Sequence, residues 1–208
     1  MTPEQQKFNY IKTYTDYDTV GDDVDYKVFV EHGPKEVVLM YEESDSRQDW
    51  INNFLFIPWP LKLENTIVWT TLGYARAYKS TQRKPVIELV KAKVDNPGYK
   101  LVIRGWSFGS AMAKISARHL ETAGYILDEL TTYGDVKCWL NPFYKTKARR
   151  AREYVTPNDG VTWCVPFFHR DNKCKVGPKF SIRELFNSEY YHTHYDEYDY
   201  SKWEEANE

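Results

Sequence analysis

Apolar positions in this chain alternate between two patterns, and the alternation predicts its elements. The run "YKVFVEHGPKEVVLMYEE" (26–43) reads as two β-strands joined at a Gly-Pro turn. Its second half, "EVVLMYE", has consecutive apolar residues, which suits a central strand covered on both faces. In "KPVIELVKAKVDNPG", Val86, Leu89, Val90 and Val94 recur at helical spacing between Pro85 and a terminating Asn96-Pro97-Gly98. "YKLVIRGW" (99–106) is the next strand and "SAMAKISARHLETAG" the next helix, with Gly124 as its C-cap. "DVKCWLNPF" reads as a strand ending in a turn, "YVTPNDG" as another strand end, and "SIRELFNS" as a short helix. Strands that alternate with helices predict an α/β fold with a mostly parallel central sheet flanked by helices. Length suits one domain over 1–208, with an irregular polar N-terminus (1–25) and an acidic tail (196–208) that reads as solvated or frayed chain.

Composition narrows the function classes. Lys and Arg number 28 against 30 Asp and Glu, for a formal charge of -2, so no basic stripe for nucleic acid is expected. No run of 18 apolar residues occurs, so no integral membrane segment is expected, and the polar start has no apolar signal region. Three cysteines, Cys138, Cys164 and Cys174, form no C-x-x-C pair. Together these predict a cytoplasmic protein, of host-cell or virus-encoded origin. No His/Cys/Asp cluster has ligand spacing, so neither a metal nor a cofactor is expected.

The chemistry concentrates at "GWSFGSAMAK" (105–114), where Ser107 sits between Gly105 and Gly109 at a strand-to-helix corner. A nucleophilic serine needs such a strained turn to project its oxygen above the sheet. Side chains two residues away would crowd it, and the following helix offers free N–H groups to a developing oxyanion. The pattern alone arises by chance in roughly one chain in fifteen of this length, given ordinary Gly and Ser usage. A base and an orienting carboxylate must therefore accompany it. Asp159 follows in "TPNDGV", and His192 and His194 in "YYHTHYDEY", in the order Ser, Asp, His. Asp159 also fits a plain turn aspartate. On an extended segment the two histidines face one way, which leaves both open as the base. His32, His119 and His169 fit less well.

Other stretches carry a resemblance. "YEESDSRQDW" sets Ser44, Ser46, Asp49 and Trp50 against F-R-G-T/S-x-S-x-x-D-W, and "YKLVIRGWSFGSAMA" aligns with Y-x-(apolar)-x-x-T-G-H-S-L-G-G-A-L-A. Gly73-Tyr74 match a G-F after an apolar stretch, "LNPF" loosely matches G-x-P, and "HTHYDEY" matches a final His segment led by His192. Over about 26–200 the chain resembles the class 3 lipases, the fungal triacylglycerol lipase family of the α/β-hydrolase superfamily.

The resemblance implies a serine esterase or lipase. It would hydrolyse a carboxylic ester (a glyceride, phospholipid or small ester) through an acyl-serine, with transient lipid-surface contact. Ser107, Asp159 and His192 would form the triad, with His194 as rival base. Ser44 and the Phe108 N–H would form the oxyanion hole, and Asp49 would support the Ser44 loop or simply cap the next turn. Trp50, Phe54, Phe56, Trp59 and Trp106 would serve as a lid or acyl pocket, with ordinary core as the alternative for the apolar stretch. Two departures stand out: Trp106 replaces the family histidine, and Ser110 its second glycine. They feed the alternative of a catalytically inactive binding protein on the same fold.

Overall fold

The run Glu36–Tyr41 becomes β3, buried on both faces as its unbroken apolar composition requires. The computed structural model describes residues 1–21, 24–42, 56–165, 168–170 and 173–200. β1 (Asp18–Val20), β2 (Val24–Glu31) and β3 pair antiparallel, with the predicted hairpin between β2 and β3. β3 then pairs parallel with β6 (Lys100–Trp106), and the parallel run continues through β7 (Glu129–Tyr133), β8 (Arg150–Val155) and β9 (Lys173–Lys175). The seven-stranded order is β1-β2-β3-β6-β7-β8-β9. β4 (Pro58–Leu63) and β5 (Thr66–Thr71) form a separate hairpin.

Alternation along the strands separates two cores. Val37, Leu39, Leu101, Ile103 and Leu130 face α2 (Leu72–Ser80), α3 (Lys84–Asp95) and α4 (Phe108–Thr122). Met40, Trp106, Tyr133, Tyr154 and Cys174 face the other way. That second face is covered by both ends of the described chain. α1 (Pro3–Thr13) brings Phe8 and Ile11, and residues 195–200 bring Tyr195, Tyr198 and Tyr200. Each such fully buried side chain contributes about 1.5–3 kcal/mol relative to exposure.

Three expectations are corrected here. The N-terminus is not irregular: Thr2 caps α1, Pro3 opens it and Gln5 closes a capping box. The sequence "TPEQ" carries that signal. The tail does not begin as solvated chain at 196, because Tyr198 and Tyr200 are buried and Gln5 Nε2 donates to the Tyr198 carbonyl; residues 201–208 lie outside the described residues. "DVKCWLNPF" makes no strand of its own, only a bridge from Trp139 to His169. The strand at that place in the fold is β7, whose "ELTTY" is too polar to read as apolar.

Candidate active site

β6 delivers Ser107 to the C-terminal end of the sheet, and α4 begins at the next residue. Ser107 has φ 54 and ψ -122, outside the regions ordinary L-residues populate, and its N–H donates to the Tyr133 carbonyl. Both flanking glycines are required by close approach. A Cβ at Gly105 would lie 2.4 Å from the Gly109 carbonyl oxygen, and one at Gly109 would lie 2.4 Å from that of Glu42. Strand, turn and helix are thus pressed together around the serine. Ser110, where the family pattern has glycine, is fully buried, and its Oγ accepts a hydrogen bond from the Val136 N–H at 3.1 Å. The substitution adds a tie between α4 and the segment after β7.

The loop after β8 brings Asp159 to the same end. Asp159 is fully buried and caps a 3-10 turn, Gly160–Trp163, with Oδ1 accepting from the Val161 N–H at 3.0 Å. His192 lies on α5 (Ser188–Thr193). Its Nε2 is 2.7 Å from Ser107 Oγ and its Nδ1 is 2.7 Å from Asp159 Oδ2. The three predicted residues therefore form one hydrogen-bonded line, with only a few per cent of the serine and histidine exposed.

His194 is not part of it. The segment is helical rather than extended, so positions two apart diverge around the axis instead of facing one way. The His194 ring stacks on Tyr190 at 4.1 Å, and its Nδ1 lies 2.8 Å from the Tyr190 carbonyl oxygen. His119 is buried between Tyr78 and Glu64, at 2.6 and 2.8 Å. His32 pairs with Tyr99, and His169 bridges to Trp139.

Two neighbours escaped the sequence reading. Tyr195, three residues after His192, donates its hydroxyl to Asp159 Oδ2 at 3.0 Å and accepts from the Thr156 N–H at 3.0 Å. Burial, then the Asp159 charge, pushes its phenol well above the usual range, so the hydroxyl stays a donor. Burial and then Asp159 also raise the Cys164 thiol, which keeps it protonated. The second neighbour is Gly134, the turn glycine after β7, with φ 53 and its α-carbon against the His192 ring.

Trp106 belongs elsewhere than in an acyl pocket. It sits in the α1-side core, edge-on to Phe8 at 5.4 Å, and its Nε1 donates to the His192 carbonyl at 3.2 Å. Its bulk braces the histidine from behind. Phe108 opens α4, where the first N–H groups of a helix lack intrahelical acceptors. Trp59 lies on β4, opposite Thr70, and is 41 % exposed; Phe56 just precedes that strand. Ser44, Asp49, Trp50 and Phe54 lie outside the described residues. Among the described residues no helix is long and apolar enough to cross a membrane.

A family model described as "Lipase (class 3)" matches residues 38–163. The chain is 30 % identical over 115 residues to a secreted mono- and diacylglycerol lipase of Penicillium cyclopium, covering 55 % of this chain and 37 % of that protein. It is 31 % identical over 138 residues to a secreted mono- and diacylglycerol lipase of Fusarium solani, covering 66 % of this chain and 38 % of that protein. It thus spans well under half the length of these relatives. Among solved structures, a Rhizomucor miehei triacylglyceride lipase superposes with TM-score 0.66 at 20 % identity, covering 77 % of this chain and 64 % of the other. That likeness shows the α/β-hydrolase fold. The cytoplasmic expectation is overturned by the curated relatives, which are secreted enzymes.

Proposed function

The chain belongs to the class 3 lipase family, and from that premise we propose that it is a serine hydrolase that cleaves carboxylic esters of lipids through an acyl-serine. One observation carries the proposal: a single imidazole, His192, spans Ser107 Oγ and Asp159 Oδ2 at 2.7 Å on each side. A serine hydroxyl at its ordinary pKa is a poor nucleophile, and an oriented neutral imidazole within hydrogen-bond reach is what activates it.

In this reading His192 Nε2 takes the Ser107 proton as Oγ bonds to the substrate carbonyl carbon. Asp159, fixed by Val161 N–H and Tyr195 OH, holds the Nδ1–H tautomer and stabilises the imidazolium without taking its proton. The carbonyl oxygen becomes an oxyanion, held by the Phe108 N–H at the start of α4 and by Ser44. When the tetrahedral centre collapses, the C–O bond to the alcohol breaks and His192 gives that alcohol its proton. Water then attacks the acyl-serine, His192 takes the water's proton, and the acid leaves as the proton returns to Ser107. The curated relatives, named for mono- and diacylglycerols, support a glyceride as the first substrate to test and an encounter with it outside the cell. The whole of 1–208 would act as one domain.

Labelling with a fluorophosphonate tests the reading. Wild type reacts and Ser107→Ala does not; an unlabelled wild type favours a binding protein on the same fold. Hydrolysis of short and long p-nitrophenyl esters, run side by side with a diacylglycerol, then assigns the acyl length.

A further inference from the structure

The loop that carries Asp159 has a second neighbour. Its two ends, Thr156 and Trp163, also wall a cleft of about 450 Å³ whose far side is formed by Lys173, Lys175, Lys179 and Phe180. Lys173 and Lys175 lie on β9, an edge strand, and alternate with Cys174, which turns into the core. Two-residue periodicity therefore points both ammoniums the same way. Phe180 stacks on Trp163 with ring centres 5.4 Å apart and planes 20° from parallel, and both are about half exposed.

The cleft is held open by construction. Asn158, fully buried, donates its Nδ2 to the Lys179 carbonyl at 3.2 Å and accepts from the Ser181 N–H at 2.9 Å. One side chain thus pins both sides of the Lys179–Phe180 wall to the loop that bears Asp159.

Its charge is one-sided. Among the described residues no carboxylate lines it, and none of the three lysines forms an ion pair with another of them. Glu153, opposite Lys173 in the ladder, is fully buried and is not among the residues that line the cleft. Burial, then the charges of Arg170, Lys175 and Lys137, holds the Lys173 ammonium below its usual range. Lysines on β9 alone would be explained as guards of an exposed edge. That account does not extend to Lys179, to the aromatic stack or to the Asn158 clamp, all of which lie off the strand.

We propose that this cleft binds a phosphate-bearing ligand, its oxygens facing the three lysine ammoniums and its organic part resting on the Trp163–Phe180 wall. Three ammoniums oversupply a single carboxylate. A phosphate monoester, with about -1.5 to -2 charges at neutral pH, matches them better, and lysine is a suitable point-charge partner for it. The ligand's source is either the phosphomonoester headgroup of a lipid or a small soluble phosphate. Because Thr156 and Trp163 bound the Asp159 loop, occupancy would also steady the carboxylate end of the triad.

Calorimetric titration of the Ser107→Ala protein, in which turnover plays no part, tests this with two probes: inorganic phosphate and short-chain phosphatidic acid. Saturable one-to-one binding is expected, tenfold or more weaker in Lys175→Ala/Lys179→Ala and restored in Lys175→Arg/Lys179→Arg. It should also weaken as salt rises. Binding of the lipid alone, with the same lysine dependence, assigns a headgroup; binding of inorganic phosphate alone assigns a soluble ligand. The proposal is overturned if neither probe binds saturably. It is equally overturned if affinity is unchanged in the alanine pair and in Lys175→Glu/Lys179→Glu, each checked for native melting temperature.

Discussion

Tyr195 and His192 converge on one oxygen: Asp159 Oδ2 accepts the Tyr195 hydroxyl at 3.0 Å and lies 2.7 Å from His192 Nδ1. One segment therefore carries both the proposed base and a residue that fixes that histidine's own partner. With Val161 N–H on the other oxygen, the carboxylate is held from three sides in a fully buried place. A hydrogen bond to a charged group contributes about 1.5–3 kcal/mol. Tyr195→Phe should therefore lower kcat on p-nitrophenyl butyrate by roughly ten- to a hundredfold with KM little changed. Equal losses in kcat and in melting temperature, rescued by cooling, would instead reduce Tyr195 to a packing residue.

The separation of His192 from His194 is sharp enough to test by exchange. His192→Ala should lose about 10⁴ to 10⁶ in kcat, the scale of removing a member that acts as a unit with the nucleophile. His194→Ala gives up a stacking contact with Tyr190 and should retain activity within about threefold, a surface-scale change. Steady-state kinetics of the two proteins side by side decides it, and comparable losses in both would reopen the assignment.

The legible part of this fold was its apolar strands and its punctuation. β3, β6 and α4 follow from runs of buried residues, and Ser107 from two glycines whose positions admit no Cβ. β7 was not legible, because "ELTTY" buries threonines that hydrogen-bond locally, such as Thr132 to Asp135 at 2.8 Å. α1 was announced by its capping box yet looked solvated, since only Phe8 and Ile11 reach the core. The C-terminal tyrosines misled in the same way: in an acidic stretch they look soluble, but Tyr195 and Tyr200 bury their rings and satisfy their hydroxyls internally. At the site, order along the chain selected Asp159 and a histidine segment. Choosing within that segment required its helical geometry, which a six-residue element does not advertise.

Gly134 sets how closely β7 can approach the imidazole. With φ 53 it occupies the left-handed region, and a Cβ there would lie 2.7 Å from His192 Cε1. Gly134→Ala should displace the ring by a fraction of an ångström and cost ten- to a hundredfold in kcat, as small misplacements of reacting groups do. The left-handed backbone adds about 1–2 kcal/mol of destabilisation. Kinetics and thermal unfolding of the same preparation check both, and an unchanged kcat would mean that the ring has room to move.

Phe8 makes the first helix part of the site's support. Its ring meets Trp106, Tyr133 and Tyr195 at 5.4, 5.1 and 5.6 Å, and Trp106 in turn donates to the His192 carbonyl. Phe8→Ala should destabilise the protein by about 3–5 kcal/mol through lost burial and the cavity left behind. The cavity opens beneath the histidine segment, so amide exchange should rise across 190–200 before it rises in β3. Uniform protection loss across the sheet would contradict that local coupling.

Acid should unfold this protein partly through Glu129. Burial works to raise its carboxyl, but the Lys7 ammonium at 2.7 Å, the Thr131 hydroxyl at 3.0 Å and Arg150 together hold it below the usual 4.5. A folded value below the unfolded one means that the unfolded chain takes up the proton first as pH falls. The stabilisation is therefore complete above about 4.5 and is lost as pH drops through the lowered folded value. Lys7 also reaches Glu4 at 3.3 Å, so Lys7→Met removes the cation from both carboxylates while keeping the stem's packing. At pH 6 the variant should be less stable by about 1–2 kcal/mol, the scale of a charged hydrogen bond in a mostly buried place. Below pH 4 the two proteins should converge, because protonated Glu129 gains little from Lys7. Thermal unfolding from pH 6 to 3 measures the gap, and a gap that persists or widens in acid would assign the stabilisation to packing of the Lys7 stem.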